Sequence, residues 1–236
     1  MKRVVLALLL AAGLPPRAAV ETELAAALRR YDAEAAVAAL GRARDLDRAV
    51  PGPATALLRV RAALVAAELL RVQFEQAPPN ETQQRAVLGQ RIDAAAEEGL
   101  AVLQRVPPSS ERYRMEADLL ATMIRSTFRA RTYEARFASA VAKALELDPR
   151  NARAHVTAAK PLVFAPPEHG RDLRAAVGTL TRALELDPTL EPALLLRALA
   201  YELLGEHEAA LADWRAALAA NPECTPAREA LAQHRR

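Results

Sequence analysis

The chain has 236 residues, of which 52% are hydrophobic but only 4% aromatic. Its length suits one globular domain or one short solenoid. The apolar mass is mostly Ala and Leu, which favour helix because they lose little rotamer freedom there. Eight Gly leave little room for hairpin-rich β structure, and the 16 Pro gather at a few points, as punctuation between helices does.

The chain opens on Lys2 and Arg3, then an apolar run from Val4 to Leu14, then Pro15-Pro16-Arg17-Ala18-Ala19. A basic start, an apolar stretch and small residues beyond it describe a secretory signal peptide. We expect residues 1–19 to be that leader and the mature protein to be exported to a bacterial periplasm. The run is far short of the roughly 20 residues a membrane-spanning helix needs. No Cys stands near it, which speaks against a lipoprotein anchor. The formal net charge is +3, and loss of Lys2, Arg3 and Arg17 with the leader brings it to zero. A neutral chain with interspersed signs offers no footprint for nucleic acid or an anionic membrane.

Residues 20–110 read as divergent helical pairs. A short pair is expected over Thr22–Arg30 and Ala33–Leu46, with Asp32 as the N-cap of the second helix, where its carboxylate can accept a first-turn N–H. Pro51-Gly52-Pro53 ends that pair. Ala54–Gln76 and Glu81–Arg105 form a longer pair, split by Pro78-Pro79-Asn80 and closed by Pro107-Pro108. Ser109 and Ser110 before Glu111 signal the next start. Arg112–Arg129 and Thr132–Leu147 are the expected helices of the following pair.

From residue 111 onward a phrase recurs. Ala144-Leu145-Glu146-Leu147-Asp148-Pro149, Ala183-Leu184-Glu185-Leu186-Asp187-Pro188 and Ala217-Leu218-Ala219-Ala220-Asn221-Pro222 each place Ala-Leu five residues before a Pro, with Asp or Asn ahead of it. The prolines stand 39 and 34 residues apart. In Glu191–Thr225, small residues fall at Ala198, Ala210 and Ala217, with large ones at Tyr201 and Trp214. Small residues let two helix backbones approach; large ones fill the space between hairpins. Gly205 tolerates φ > 0 and closes the first helix, and Pro222 cannot continue the second.

These residues and the 34-residue interval resemble the tetratricopeptide repeat family. The likeness is strong in Glu191–Thr225 and fair in Ala152–Pro188, where Ala159, Ala176, Leu180 and Ala183 fit but Leu162 replaces an aromatic. It is thin before that: Phe137 and Arg125 occupy places that take small residues. Five extra residues lie around Phe164–Gly170, and Pro161 should kink or end its helix early. The resemblance implies an all-α fold, a right-handed α-solenoid of about five antiparallel pairs. Thr225–His234 should form its polar capping helix.

No catalytic constellation appears. The four histidines, His155, His169, His207 and His234, show no i, i+4 metal spacing and no His-Glu-x-x-His. His207 starts a second helix, where a packing residue is expected. Glu97 and Glu98 point about 100° apart on a helix and read as a solvated face. There is no phosphate-binding glycine loop or nucleophile elbow. Cys224 is the lone cysteine, so no intramolecular disulfide forms. No enzyme activity, cofactor or metal is expected.

What remains is a groove. In the family that this chain resembles, first helices line a concave face that binds peptides or protein segments. Carried onto this chain, the lining residues are Arg153, Val156 and Lys160 in one unit and Leu195, Leu199 and Glu202 in the next. This mixed wall suits an amphipathic or extended peptide. The inserted loop adds Glu168 and His169 as a second candidate contact for a partner. The leading expectation is a protein-interaction scaffold of the envelope. The alternative is a solute-handling accessory, similar in general character to the T components of tripartite ATP-independent transporters.

Overall fold

The computed structural model describes residues 15–234, so the apolar run Val4–Leu14 of the expected leader lies outside the described residues. Among the described residues there are eleven α-helices, one 3-10 turn and no strand. The fold is all-α, with helices packed in adjacent pairs. In chain order they are α1 (Arg17–Arg30), α2 (Ala33–Ala49), α3 (Pro53–Gln76), α4 (Thr82–Leu103), α5 (Ser110–Met123) and α6 (Thr127–Leu147). After these come α7 (Ala152–Phe164), α8 (Leu173–Leu186), α9 (Glu191–Leu204), α10 (His207–Ala220) and α11 (Thr225–Gln233).

Two compact units emerge. The first runs to Pro108 and also holds Met115–Phe137; the second holds Ser109–Arg114 and everything from Ala138 on. Elements α5 and α6 therefore contribute residues to both.

In the first unit α2, α3 and α4 pack in succession. Asp32 caps α2 as expected, accepting from the Ala35 N–H at 2.9 Å. Pro53 opens α3 at a position whose N–H would lack an intrahelical acceptor anyway. The core is built of Leu and Ala side chains, with Val60, Leu70, Ile92, Leu103, Met115 and Leu119 fully enclosed. Gly99 marks the tightest crossing. A Cβ there would stand 2.9 Å from Leu119 Cδ1 and 3.1 Å from the Ala63 Cβ.

Three carboxylates bind this unit together from within. Asp47 is only 1% exposed in its side chain. It accepts from Arg105 at 2.6 and 2.9 Å, from the Thr55 hydroxyl at 3.0 Å and from Arg59 at 3.3 Å. Arg59 also donates to Glu98 at 2.7 Å, which Arg44 reaches at 2.9 Å. The expected solvated pair thus divides: Glu97 is exposed, whereas Glu98 is half-buried and doubly paired. Asp93 receives two-pronged contacts from Arg125 and Arg129, all between 2.7 and 2.9 Å. Arg125, which occupies a place expected to be small, is tolerated because Asp93 neutralises it and Gly89 leaves room beside its guanidinium.

The expected break between Arg129 and Thr132 lies earlier. α5 stops at Met123, and α6 starts at Thr127, where the Ser126 hydroxyl accepts from the Arg129 N–H at 3.3 Å. Ser126-Thr127 is a start signal that the helical periodicity of the flanking segments masked. α1 likewise starts at Arg17 rather than Thr22, and Val20 is fully buried.

In the second unit α7 packs on α8, α8 on α9, α9 on α10 and α10 on α11. Ala159, Ala176, Ala183, Ala198, Ala210 and Ala217 have no exposed surface, as close helix approach requires. Trp214 is buried, and Gly205 closes α9 at φ +76°. The recurring Asp/Asn-Pro phrase has one physical basis. The side-chain oxygens of Asp148, Asp187 and Asn221 accept from the N–H two residues on, at 2.9, 3.1 and 3.0 Å. Each makes an Asx turn that closes the helix before the Pro and aims the chain at the next one. Pro161 does not end α7 early. The helix runs on to Phe164, and the Ala165 N–H bonds the Pro161 carbonyl at 3.0 Å. The proline gives up its own N–H bond and crowds the Thr157 carbonyl, yet the turn beyond it still closes.

Candidate functional site

The expected lining residues lie on α7 and α9, which pack against each other within the second unit. Arg153 is exposed; Lys160, Leu195, Leu199 and Glu202 are half-buried; Val156 is buried at 5% exposure. Val156 therefore belongs to the packing between helices and offers a partner no surface. Between Leu195 and Leu199, Ala198 is enclosed, as are Ala193, Leu194 and Leu196 on the inner face of α9. Leu195 and Leu199 stand one turn apart beside this buried face, a narrow apolar strip that Glu202 continues along α9.

Arg197 anchors α9 on its other side. It grips Asp213 of α10 with two bonds of 2.8 Å and reaches the Thr181 hydroxyl of α8 at 3.0 Å. The Asp213 hydrogen bond, working against burial, holds the guanidinium above its usual range. One side chain thus fixes three helices and the orientation of the strip.

Glu168 and His169 lie in the 3-10 turn Pro167–His169, and both are exposed. Gly170 at φ +93° reverses the chain, and the Asp172 N–H bonds the Leu162 carbonyl at 2.9 Å, closing the insertion at its base. Asp172 then caps α8 by accepting from the Ala175 N–H.

A second grouping was not legible in the sequence. His207 does not pack inward as expected; its side chain is 62% exposed. Its Nδ1 stands 3.3 Å from Glu202 Oε2, across the turn that Gly205 makes. His234, following α11, brings Nε2 to 3.0 Å from Glu202 Oε1. Its Nδ1 lies 2.9 Å from the Ala230 carbonyl. That hydrogen bond, with the Glu202 carboxylate beside it, holds His234 above the ordinary imidazole range. A separation of 27 residues between two histidines carries no local signature; only the path of α10 and α11 joins them.

In the first unit a cleft of about 1080 Å³ opens where α3 ends and α4 begins, lined by Gln73, Gln76, Asn80, Gln83, Val87 and Arg91. Arg91 is held by Glu34 at 2.7 Å. No helix of the described residues is long and apolar enough to cross a membrane.

No protein-family model and no curated protein matches the chain. Among solved structures it is similar to TTC0263, a thermophilic TPR protein of Thermus thermophilus. That likeness has 19% identity and a TM-score of 0.60, and spans 91% of this chain and 97% of the other. The fold is tetratricopeptide-like. Weaker likenesses link this tetratricopeptide-like chain to YrrB, a TPR protein with an unusual peptide-binding site (15% identity, TM-score 0.42, 91% and 98% covered). Another is to the TPR2AB domain of yeast Sti1 in its pHSP90 complex (16%, 0.34, 90% and 95%). All three are distant in sequence, and only the first superposes closely enough to bear on architecture.

Proposed function

We propose that this protein is an interaction scaffold of the bacterial envelope that holds a peptide or protein segment along the α7–α9 strip. The observation that carries this reading is the packing of α9 against α7, which leaves Leu195 and Leu199 half-buried rather than enclosed. Half-open leucines supply apolar contact, and the exposed Arg153 sets register and orientation for an extended or amphipathic segment. Export is part of the proposal and rests on the basic start and apolar run of residues 1–19. No catalytic role is assigned to Asp47 or Asp93: arginines, joined at Asp47 by the Thr55 hydroxyl, occupy both oxygens of each carboxylate.

Affinity capture with the chain from residue 20 on, followed by mass spectrometry, tests the scaffold. Arg153→Glu combined with Lys160→Glu should weaken recovery of a saturable partner at least tenfold; unchanged recovery contradicts the strip. Fusion of residues 1–19 to a reporter active only outside the cytoplasm tests export. An inactive fusion removes the envelope from the proposal and leaves the strip standing.

A further inference from the structure

We propose that Glu202, His207 and His234 form a binding site for a divalent transition-metal ion. One donor atom from each residue lies within 4.8 Å of the other two. A zinc ion bound by nitrogen and oxygen at about 2.0–2.1 Å in tetrahedral geometry separates its ligands by roughly 3.4 Å. His207 Nδ1 stands 3.3 Å from Glu202 Oε2 and His234 Nε2 3.0 Å from Glu202 Oε1, so each imidazole meets its own carboxylate oxygen at close to such an edge.

Two further features point to a cation. The first is the tautomer of His234. The Ala230 carbonyl can only accept, so Nδ1 carries the proton. Nε2 is then the ring atom that faces the Glu202 carboxylate at 3.0 Å, with a proton or a metal ion to hold the two together. A ring N–H held by a backbone carbonyl is also the arrangement that orients metal-ligating histidines.

The second feature is Glu202 Oε1. It is buried, yet it completes no hydrogen bond, even with Nε2 so near. A proton shared between the two atoms must lie along the line joining them. A metal ion sits off that line, at the apex of a triangle over both donors. The 3.0 Å contact is short enough for either.

The site's position gives it a consequence. Glu202 stands in the last turn of α9, His207 opens α10, and His234 follows α11. Only Ala227 of α11 is fully enclosed. An ion held by all three residues clips this capping helix to the last hairpin, adding a tie that apolar burial supplies weakly. Two imidazoles and one carboxylate suit zinc, nickel or copper rather than magnesium or calcium. Three protein ligands leave a fourth position for water or for a side chain of a partner.

Calorimetric titration of the tag-free, chelator-treated chain with zinc chloride tests this. One equivalent should bind, and the melting temperature should rise with zinc. Cobalt should give the visible absorption of a low-coordinate site. His207→Ala and His234→Ala should each lower zinc affinity at least tenfold, and Glu202→Gln should do the same, whereas His169→Ala should leave it unchanged. His207 and His169 are exposed, so circular dichroism of those variants should match the parent. No saturable uptake overturns the proposal, as does uptake that survives all three substitutions. A His234–Glu202 pair that titrates identically with and without zinc identifies a simple ion pair and overturns it too.

Discussion

The two units bury helices by different means. In the first, helices of 24 and 22 residues cross closely at Gly99 and are cross-tied by arginines to Asp47, Asp93 and Glu98. In the second, α7 to α10, each of 13 or 14 residues, meet through enclosed alanines, Asp/Asn-Pro turns join successive helix pairs, and Arg197–Asp213 is the central cross-tie. The second unit spreads its specification over many small local features. The first concentrates it in a few groups that are far apart in sequence and must all be in place. Single substitutions should therefore damage the first unit more sharply.

The largest effect is expected at Asp47. Asp47→Ala removes the acceptor of Arg105, Arg59 and Thr55 together. Breaking a buried pair from one side costs about 3–5 kcal/mol, and the partial exposure of Arg105 places this case near the lower end. Urea denaturation read by circular dichroism measures it. A loss below about 1 kcal/mol would show that the network is not what binds α2, α3 and α4.

Gly99→Leu comes next. Side-chain atoms there must displace Leu119 and meet Ala63, and overpacking of this kind costs about 1–3 kcal/mol. A neutral result would mean the crossing can open without penalty. In the second unit, Asn221→Ala should cost about 1 kcal/mol. It removes the acceptor for the Glu223 N–H and the amide that donates to Glu191 at 3.1 and 3.2 Å.

Acid should separate the units without mutation. Burial pushes the Asp47, Asp93 and Glu98 carboxyls up, but hydrogen bonds from their arginines, and from Thr55 at Asp47, outweigh it and hold all three below their ordinary values. Lowered folded values mean that these groups contribute stability above the ordinary carboxylate range, near pH 4. That contribution fades as pH falls through this range toward the folded values. Hydrogen-exchange labels or unit-specific fluorescence probes should show α3 and α4 loosening as pH drops from 5 to 3. Glu98→Gln should flatten that dependence.

The same contrast explains what the sequence could show. Asp32 as an N-cap, the helix starts near Pro53 and Thr82, and the repeat from Glu191 were all legible because each signal lies within a few residues of its effect. The Asp47–Arg105 and Asp93–Arg125 pairs span 58 and 32 residues, so neither periodicity nor spacing announces them. Pro161 did not end its helix, because the turn beyond it closes on its carbonyl at Ala165. Val156 was placed by analogy with repeat lining, yet the register of α7 turns it inward. His207 and His234 are ordinary exposed histidines until α11 returns one to the other.

The proposed strip along α7 and α9 stands or falls on direct contact with a protein segment. A photo-crosslinking residue placed at Leu199 in living cells tests it most directly, with the same group at Arg215 on the exposed side of α10 as the control. The strip reading predicts a discrete adduct of defined mass from position 199 that is lost when Arg153 and Lys160 are charge-reversed, and none from position 215. No adduct at 199, or equal adducts at both positions, would contradict it.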